Sequence, residues 1–205
     1  MKLPFFALAL CGVITLSACT FDQARPQNVA HLPKTDAIWQ THLQKIAQIQ
    51  SYSAQGQLGY ISAKERFSSR FDWKYQNPQN YSLKLYSLLS KSTLNIDMRP
   101  SGLTLSDENG NRQTAQNAQL LLREIVGMDL PFDYFGTWLK GQPLANSDYQ
   151  VGLNHLLASF QYPINGEIWT ADYLAFHANQ LPQSILLKNQ SQQQTLKIRL
   201  DEWKF

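Results

Sequence analysis

Hydrophobic residues change their spacing several times along this 205-residue chain, and each change marks an element. From Leu3 to Leu16 the chain is apolar apart from Pro4, Gly12 and Thr15, behind a single charge at Lys2. That run is short for a bilayer span, and it has the charged start, apolar middle and small-residue end of a secretory leader over residues 1–18. The stretch 19–35 is polar, carries Pro26 and Pro33 and keeps no period, which predicts a flexible tether. Trp39, Leu43, Ile46 and Ile49 then recur at helical spacing, with Thr35 or Asp36 as the cap.

Beyond this helix the period drops to two. Phe67, Phe71, Trp73 and Tyr75 alternate with polar residues, as do Tyr81, Leu83 and Leu85, then Leu94, Ile96 and Met98, then Leu103 and Leu105. Asn109-Gly110 is a hairpin turn signal. Short strands with one wet face, at regular intervals, predict an antiparallel meander and not a parallel α/β sheet. Between 115 and 143 the pattern turns helical again. Leu120, Leu121, Leu122, Ile125 and Val126 form one helix closed by Gly127, and Pro131 opens a second that carries Phe132, Phe135, Trp138 and Leu139. Strands resume with Leu156, Ala158, Phe160 and Tyr162, turn at 163–166, and continue through Trp169, Ile185, Leu187, Leu196, Ile198 and Leu200 to Trp203 and Phe205. The sum is a mainly β domain over 36–205: an unclosed antiparallel barrel of about eleven strands, with an N-terminal helix and a helical lid.

Composition narrows what such a barrel does. Without the leader, 17 basic residues face 15 acidic ones, too even a balance to argue for nucleic acid. His31, His42, His155 and His177 are scattered and no catalytic or metal-binding motif is present, so an enzyme is not expected. The mature chain keeps 22 aromatic residues, which suit either a plain core or a dry pocket. Eleven strands enclose more than wall side chains usually fill, since about eight already give an interior just wide enough for them. Alternation nominates Trp73, Tyr81, Phe160 and Trp169 as residues lining an apolar cavity.

Leu16-Ser17-Ala18-Cys19 matches the L-[AST]-[GA]-C pattern of bacterial lipoprotein leaders. The thiol of Cys19 is needed there to take S-diacylglycerol, and cleavage before it frees an amine for a further acyl chain. This covalent lipid is the only non-protein group expected. Thr20 stands where an Asp would hold an enteric lipoprotein at the inner membrane, which directs the protein to the periplasmic face of the outer membrane. Cys11 leaves with the leader, so no disulfide is available.

Lipobox, tether, Trp39 helix, Tyr60-Ile61-Ser62, Phe71-x-Trp73, the Asn-Gly hairpin running into Thr114-Ala115, Gly127-Met128, Pro131, Trp138, Gly141, Pro143 and Asp201-x-Trp203 follow one another in this order. Together they resemble the LolB family of outer-membrane lipoprotein receptors over essentially the whole mature chain. The resemblance implies a monomer whose cavity takes acylated lipoproteins from the periplasmic carrier LolA. It also implies that the receptor places them in the inner leaflet of the outer membrane. Ser87-Leu88-Leu89-Ser90-Lys91-Ser92 puts adjacent leucines where polar turn residues belong. By resemblance this is the protruding membrane-insertion loop, with Leu89 at the family's exposed leucine, although Ser-Leu-Leu-Ser replaces the usual Asn-Pro-Leu-Gly. From the residues alone, Leu88 and Leu89 also read as buried strand. A lipocalin-like or structural envelope lipoprotein is the other class that the pattern allows.

Overall fold

A computed structural model describes residues 29–64, 66–87, 92–115, 132–164, 166–189, 191 and 193–205. The expected helix at 120–126, its Gly127 stop, Pro131, Cys19 and the Leu88 and Leu89 pair lie outside the described residues.

Twelve strands form one antiparallel sheet in the order β1-β8-β9-β10-β11-β12-β2-β3-β4-β5-β6-β7. The first half is β2 (Tyr52–Ile61), β3 (Arg66–Asn77), β4 (Asn80–Tyr86), β5 (Thr93–Arg99), β6 (Gly102–Asp107) and β7 (Arg112–Ala115). The second is β8 (Asp148–Gly152), β9 (Leu157–Ile164), β10 (Glu167–Phe176), β11 (Pro182–Asn189) and β12 (Gln194–Lys204). The chain therefore starts in the middle of the sheet at β2, meanders out to the β7 edge, crosses to β8 and meanders back until β12 pairs with β2. Edges β1 and β7 do not pair with each other, so the barrel is open as the strand pattern predicts.

The count of twelve exceeds the expected eleven because of β1, the two residues His31–Leu32, which pair with Gly152 and Val151. This corrects the tether reading for its last residues. Lys34 reaches Asp148 at 3.3 Å and lies over the Tyr149 ring at 4.5 Å, so the stretch just before the first helix belongs to the folded body. Polarity and missing periodicity cannot reveal a two-residue edge strand, since it buries almost nothing.

Helix α1 (Ala37–Ala47) begins where Asp36 accepts the Trp39 backbone N–H at 2.8 Å, satisfying one of the donors that a helix start leaves unpaired. Trp39, His42 and Ile46 form its buried face, which is the apolar stripe predicted from spacing. His155, held at φ 59°, places Nδ1 2.8 Å from Asp36 Oδ1 and ties the β8–β9 connection to this cap. The backbone N–H of Trp39, then His155, hold the Asp36 carboxyl below its ordinary value.

Burial, and then the nearby charge of Lys45, push the His42 imidazole below its ordinary value of 6.5, with Gln180 opposing in part. A group depressed in this way is neutral when folded and takes a proton more readily when unfolded, so stability falls as pH drops through about 6.5. The melting temperature is therefore expected to decline from pH 7 to pH 5, and His42→Asn should flatten that slope. The Asp36 contribution is lost only further down, below the ordinary carboxylate value of 3.8.

Candidate functional site

The inner face of the sheet is a continuous apolar wall. In β2 burial alternates strictly, and Tyr52, Ala54, Leu58 and Tyr60 point inward. Phe71 and Trp73 from β3, Leu83 and Leu85 from β4, Phe160 from β9, Trp169 and Ala171 from β10, and Ile198 and Leu200 from β12 join the same cluster. All four residues nominated by alternation belong to it: Trp73 is 1% exposed, Tyr81 2%, Phe160 1% and Trp169 3%. Each thus lies on the inner side of the sheet, and Trp73 lines the small inner pocket described below.

Among the described residues, a helix takes up part of the interior they share. Helix α2 (Phe132–Trp138) lies inside the open barrel, with Phe135, Trp138 and Leu139 buried in the core. Trp138 packs on Phe160 with ring centroids 4.9 Å apart, and Phe135 meets Trp73 edge-on at 6.2 Å. The pocket bounded by Leu58, Phe71, Trp73, Leu83, Phe135 and Ile198 holds only about 10 Å³, the size of one water at most. The strand count correctly implies more room than wall side chains fill. The described residues put a helix of this chain in that room.

Polar contacts that no sequence pattern marks hold α2 in place. The Tyr52 hydroxyl donates to the Gly136 carbonyl at 3.0 Å, and the Tyr173 hydroxyl to the Trp138 carbonyl at 2.6 Å. The Tyr81 hydroxyl donates to Asp133 Oδ1 at 2.9 Å, while Trp73 Nε1 donates to the Tyr52 oxygen at 3.2 Å. Burial pushes all three phenols well above the ordinary tyrosine value, so each keeps its proton and remains a donor. Just after the helix, Lys140 is 5% exposed, and its Nζ donates to the Ile46 and Ile49 carbonyls at 3.1 and 2.7 Å. Burial pulls that amine down to about 8. Lys140 thus fastens the exit of α2 to the C-terminal end of α1. The indole N–H of Trp138 has no hydrogen-bond partner among the described residues.

The outer face differs. A groove of about 860 Å³ runs along the outside of β8–β10 past Gln150, Ser159, Gln161 and Asp172. Apolar Leu153, Leu157, Leu174 and Phe176 share its lining with these polar residues. Among the described residues no group of His, Cys, Asp and Glu is arranged to hold a metal ion, and no helix is long and apolar enough to cross a membrane.

The open antiparallel barrel is a fold shared with solved structures of low sequence identity. A LolA-superfamily protein from Nitrosomonas europaea superposes with a TM-score of 0.52 over 81% of this chain and 92% of its own, at 14% identity. A DUF1329-family protein from Desulfovibrio piger gives 0.50 over 85% and 94%, at 6% identity. The sequence is far more specific. A family model described as outer membrane lipoprotein LolB matches residues 50–203. The outer-membrane lipoprotein LolB of Haemophilus influenzae Rd is 62% identical over 99% of this chain and 98% of its own, and that of Pasteurella multocida 53% over 100% and 99%. The chain belongs to the LolB family of outer-membrane lipoprotein receptors.

Proposed function

We propose that this receptor accepts acylated lipoproteins from the periplasmic carrier LolA by letting α2 swing out of the barrel, so that acyl chains take its place. The observation that carries this reading is an apolar interior occupied by a seven-residue helix with few polar fastenings. Each methylene kept from water contributes about 0.8 kcal/mol, so an acyl chain competes well for the space that Phe135, Trp138 and Leu139 fill. The unpartnered Trp138 N–H lowers the cost of expelling the helix, because a buried unsatisfied donor is worth about 1–3 kcal/mol. Transfer then needs only successive gains in affinity and no nucleotide. No bond is made or broken in the cargo, and the protein acts as a receptor and not as an enzyme.

Cys19 carries the acyl anchor in this reading, and Leu88 and Leu89 contact the bilayer when cargo is released. Photo-crosslinkers placed at Trp73, Tyr81, Phe160 and Trp169 should capture the acyl chains of bound lipoprotein, and failure at all four would refute the interior as the binding site. Replacing Leu88 and Leu89 together with Glu should leave uptake intact and lower membrane insertion at least tenfold. Charges in place of both leucines oppose entry of the loop into the hydrocarbon of the bilayer. Normal insertion by that variant would remove the loop from the mechanism.

A further inference from the structure

The two ends of the barrel differ in how their charges are matched. At the end that carries the β3–β4 and β5–β6 turns and the close of β12, cations sit beside acids. Arg99 pairs with Asp97 at 3.3 Å, Arg199 with Asp201 at 2.8 Å and Lys204 with Glu202 at 3.2 Å. The opposite end, where β2 passes to β3 and β11 to β12, is built differently. Lys188 stands opposite Thr195, Thr195 opposite Ile61 and Ile61 opposite Arg66, in one row across the outer face. Lys197 is the next outward residue of β12 and Arg70 the second outward residue of β3 after Arg66, while Lys64 lies in the β2–β3 connection.

Lys64, Arg66, Arg70 and Lys188 form no ion pair among the described residues. Acids near the row are already engaged. Asp148, which continues it beyond Thr170 and Gln161, holds Lys34 at 3.3 Å, and Glu167 accepts from Asn189. In the sequence Glu65 is the one acid between Leu58 and Phe71. Apolar side chains lie among these cations: Ile61 within the row, and Ile168, 48% exposed, at the β9–β10 turn of the same end. Strands about 4.8 Å apart put Lys188 and Arg66 about 14 Å from each other, and Arg70 lies about 13 Å along β3. Those separations are one to two Debye lengths of about 8 Å, so the cations act on one small patch of surface.

We propose that this rim is a docking surface for an anionic phospholipid bilayer. The basic residues gather headgroup phosphates, while Ile61 and Ile168 enter the interfacial layer between them. Charge complementarity selects this occupant for a receptor of the outer membrane. Cations spread across four strands suit a fluid field of phosphates, which needs no fixed partner geometry. The surface is separate from Leu88 and Leu89 and stands without them.

The mature chain carrying Cys19→Ala lacks acyl chains, so its flotation with vesicles reports the affinity of the folded body. Vesicles of phosphatidylcholine mixed with phosphatidylglycerol should carry it, those of phosphatidylcholine alone should not, and added salt should release it. Each basic residue near an anionic leaflet is worth about fivefold in partitioning. Arg66→Gln, Arg70→Gln and Lys188→Gln together should therefore lower binding at least about tenfold. The charge-keeping set Arg66→Lys, Arg70→Lys and Lys188→Arg should stay within about twofold of the parent. Lys45→Gln, Lys74→Gln and Lys204→Gln remove the same charge elsewhere and should also leave binding within about twofold. Equal loss in both glutamine sets would overturn the proposal, as would absent binding or equal binding to the two kinds of vesicle. A rim variant that floats normally yet takes less cargo from loaded carrier, with no membrane present, would overturn it as well and assign the face to a protein.

Discussion

Gly56→Ala is expected to destabilise the receptor by about 3 kcal/mol or more, enough to leave little folded protein at 37 °C. A methyl group at this position would sit 1.8 Å from the Arg199 carbonyl oxygen and 3.1 Å from the Leu200 Cα. Both are backbone atoms, so no side-chain rotation relieves the overlap. The crowding arises where β12 carries a bulge between Leu200 and Glu202 opposite Gly56 and Gln55, which draws the strand onto its neighbour. This is also the seam where the two halves of the meander meet. Urea unfolding followed by circular dichroism checks the size of the loss. Gly59→Ala serves as the control. Its added methyl would meet only the Lys197 Cβ, at 3.9 Å, and stability should change by less than about 0.5 kcal/mol.

Trp138→Ala should lower stability by about 3 kcal/mol and open the barrel to apolar ligands. The indole is 1% exposed, stacks on Tyr134 at 5.6 Å and packs on Phe160 at 4.9 Å, so its removal leaves a void inside a rigid wall. Truncations of this size range over about 3–5 kcal/mol. The lower part of that range applies because the change also removes a buried N–H that has no hydrogen-bond partner among the described residues. The functional consequence runs the other way. An emptier plug competes less well with acyl chains, so apolar dye binding and lipoprotein uptake should both rise although the melting temperature falls. Trp73→Ala makes a useful comparison. It loses similar area from the wall, and it also deprives the Tyr52 oxygen, which holds α2, of the Trp73 Nε1 donor. Uptake that fell in Trp138→Ala would argue that α2 helps to hold cargo and does not yield to it.

The two variants act on different parts of one design. Gly56 lies in the wall, whose register must survive loading. Trp138 lies on the element that has to move. Tyr52, Tyr81, Tyr173 and Lys140 stand between these parts, fastening the helix to the wall and to α1 through a few hydrogen bonds each worth about 1 kcal/mol, two of them from Lys140. A closure made of a few such bonds is firm enough to keep the interior dry and weak enough for a multiply acylated cargo to displace.

Strand alternation located the wall because its physics is local. A two-residue period with one dry face places Trp73, Tyr81, Phe160 and Trp169 on the same side whatever lies across from them, and the Asn109-Gly110 turn fixes a hairpin by backbone preference alone. A helix start at Thr35 or Asp36 was legible for the same reason, and the structure puts the cap on Asp36. The occupant of the interior was not, since an apolar helix reads identically whether it covers a barrel or fills one. The tyrosine and lysine fastenings join residues from 35 to 94 positions apart, a separation at which no spacing rule applies.

From sequence alone came the open antiparallel sheet, its dry face and the family. All of these depend on composition and near-neighbour period. Tertiary structure decided that β1 enlists the end of the tether and that α2 packs against the inner wall of the barrel. Each is a matter of how distant segments divide a fixed volume and a fixed length, and a local pattern carries no record of either.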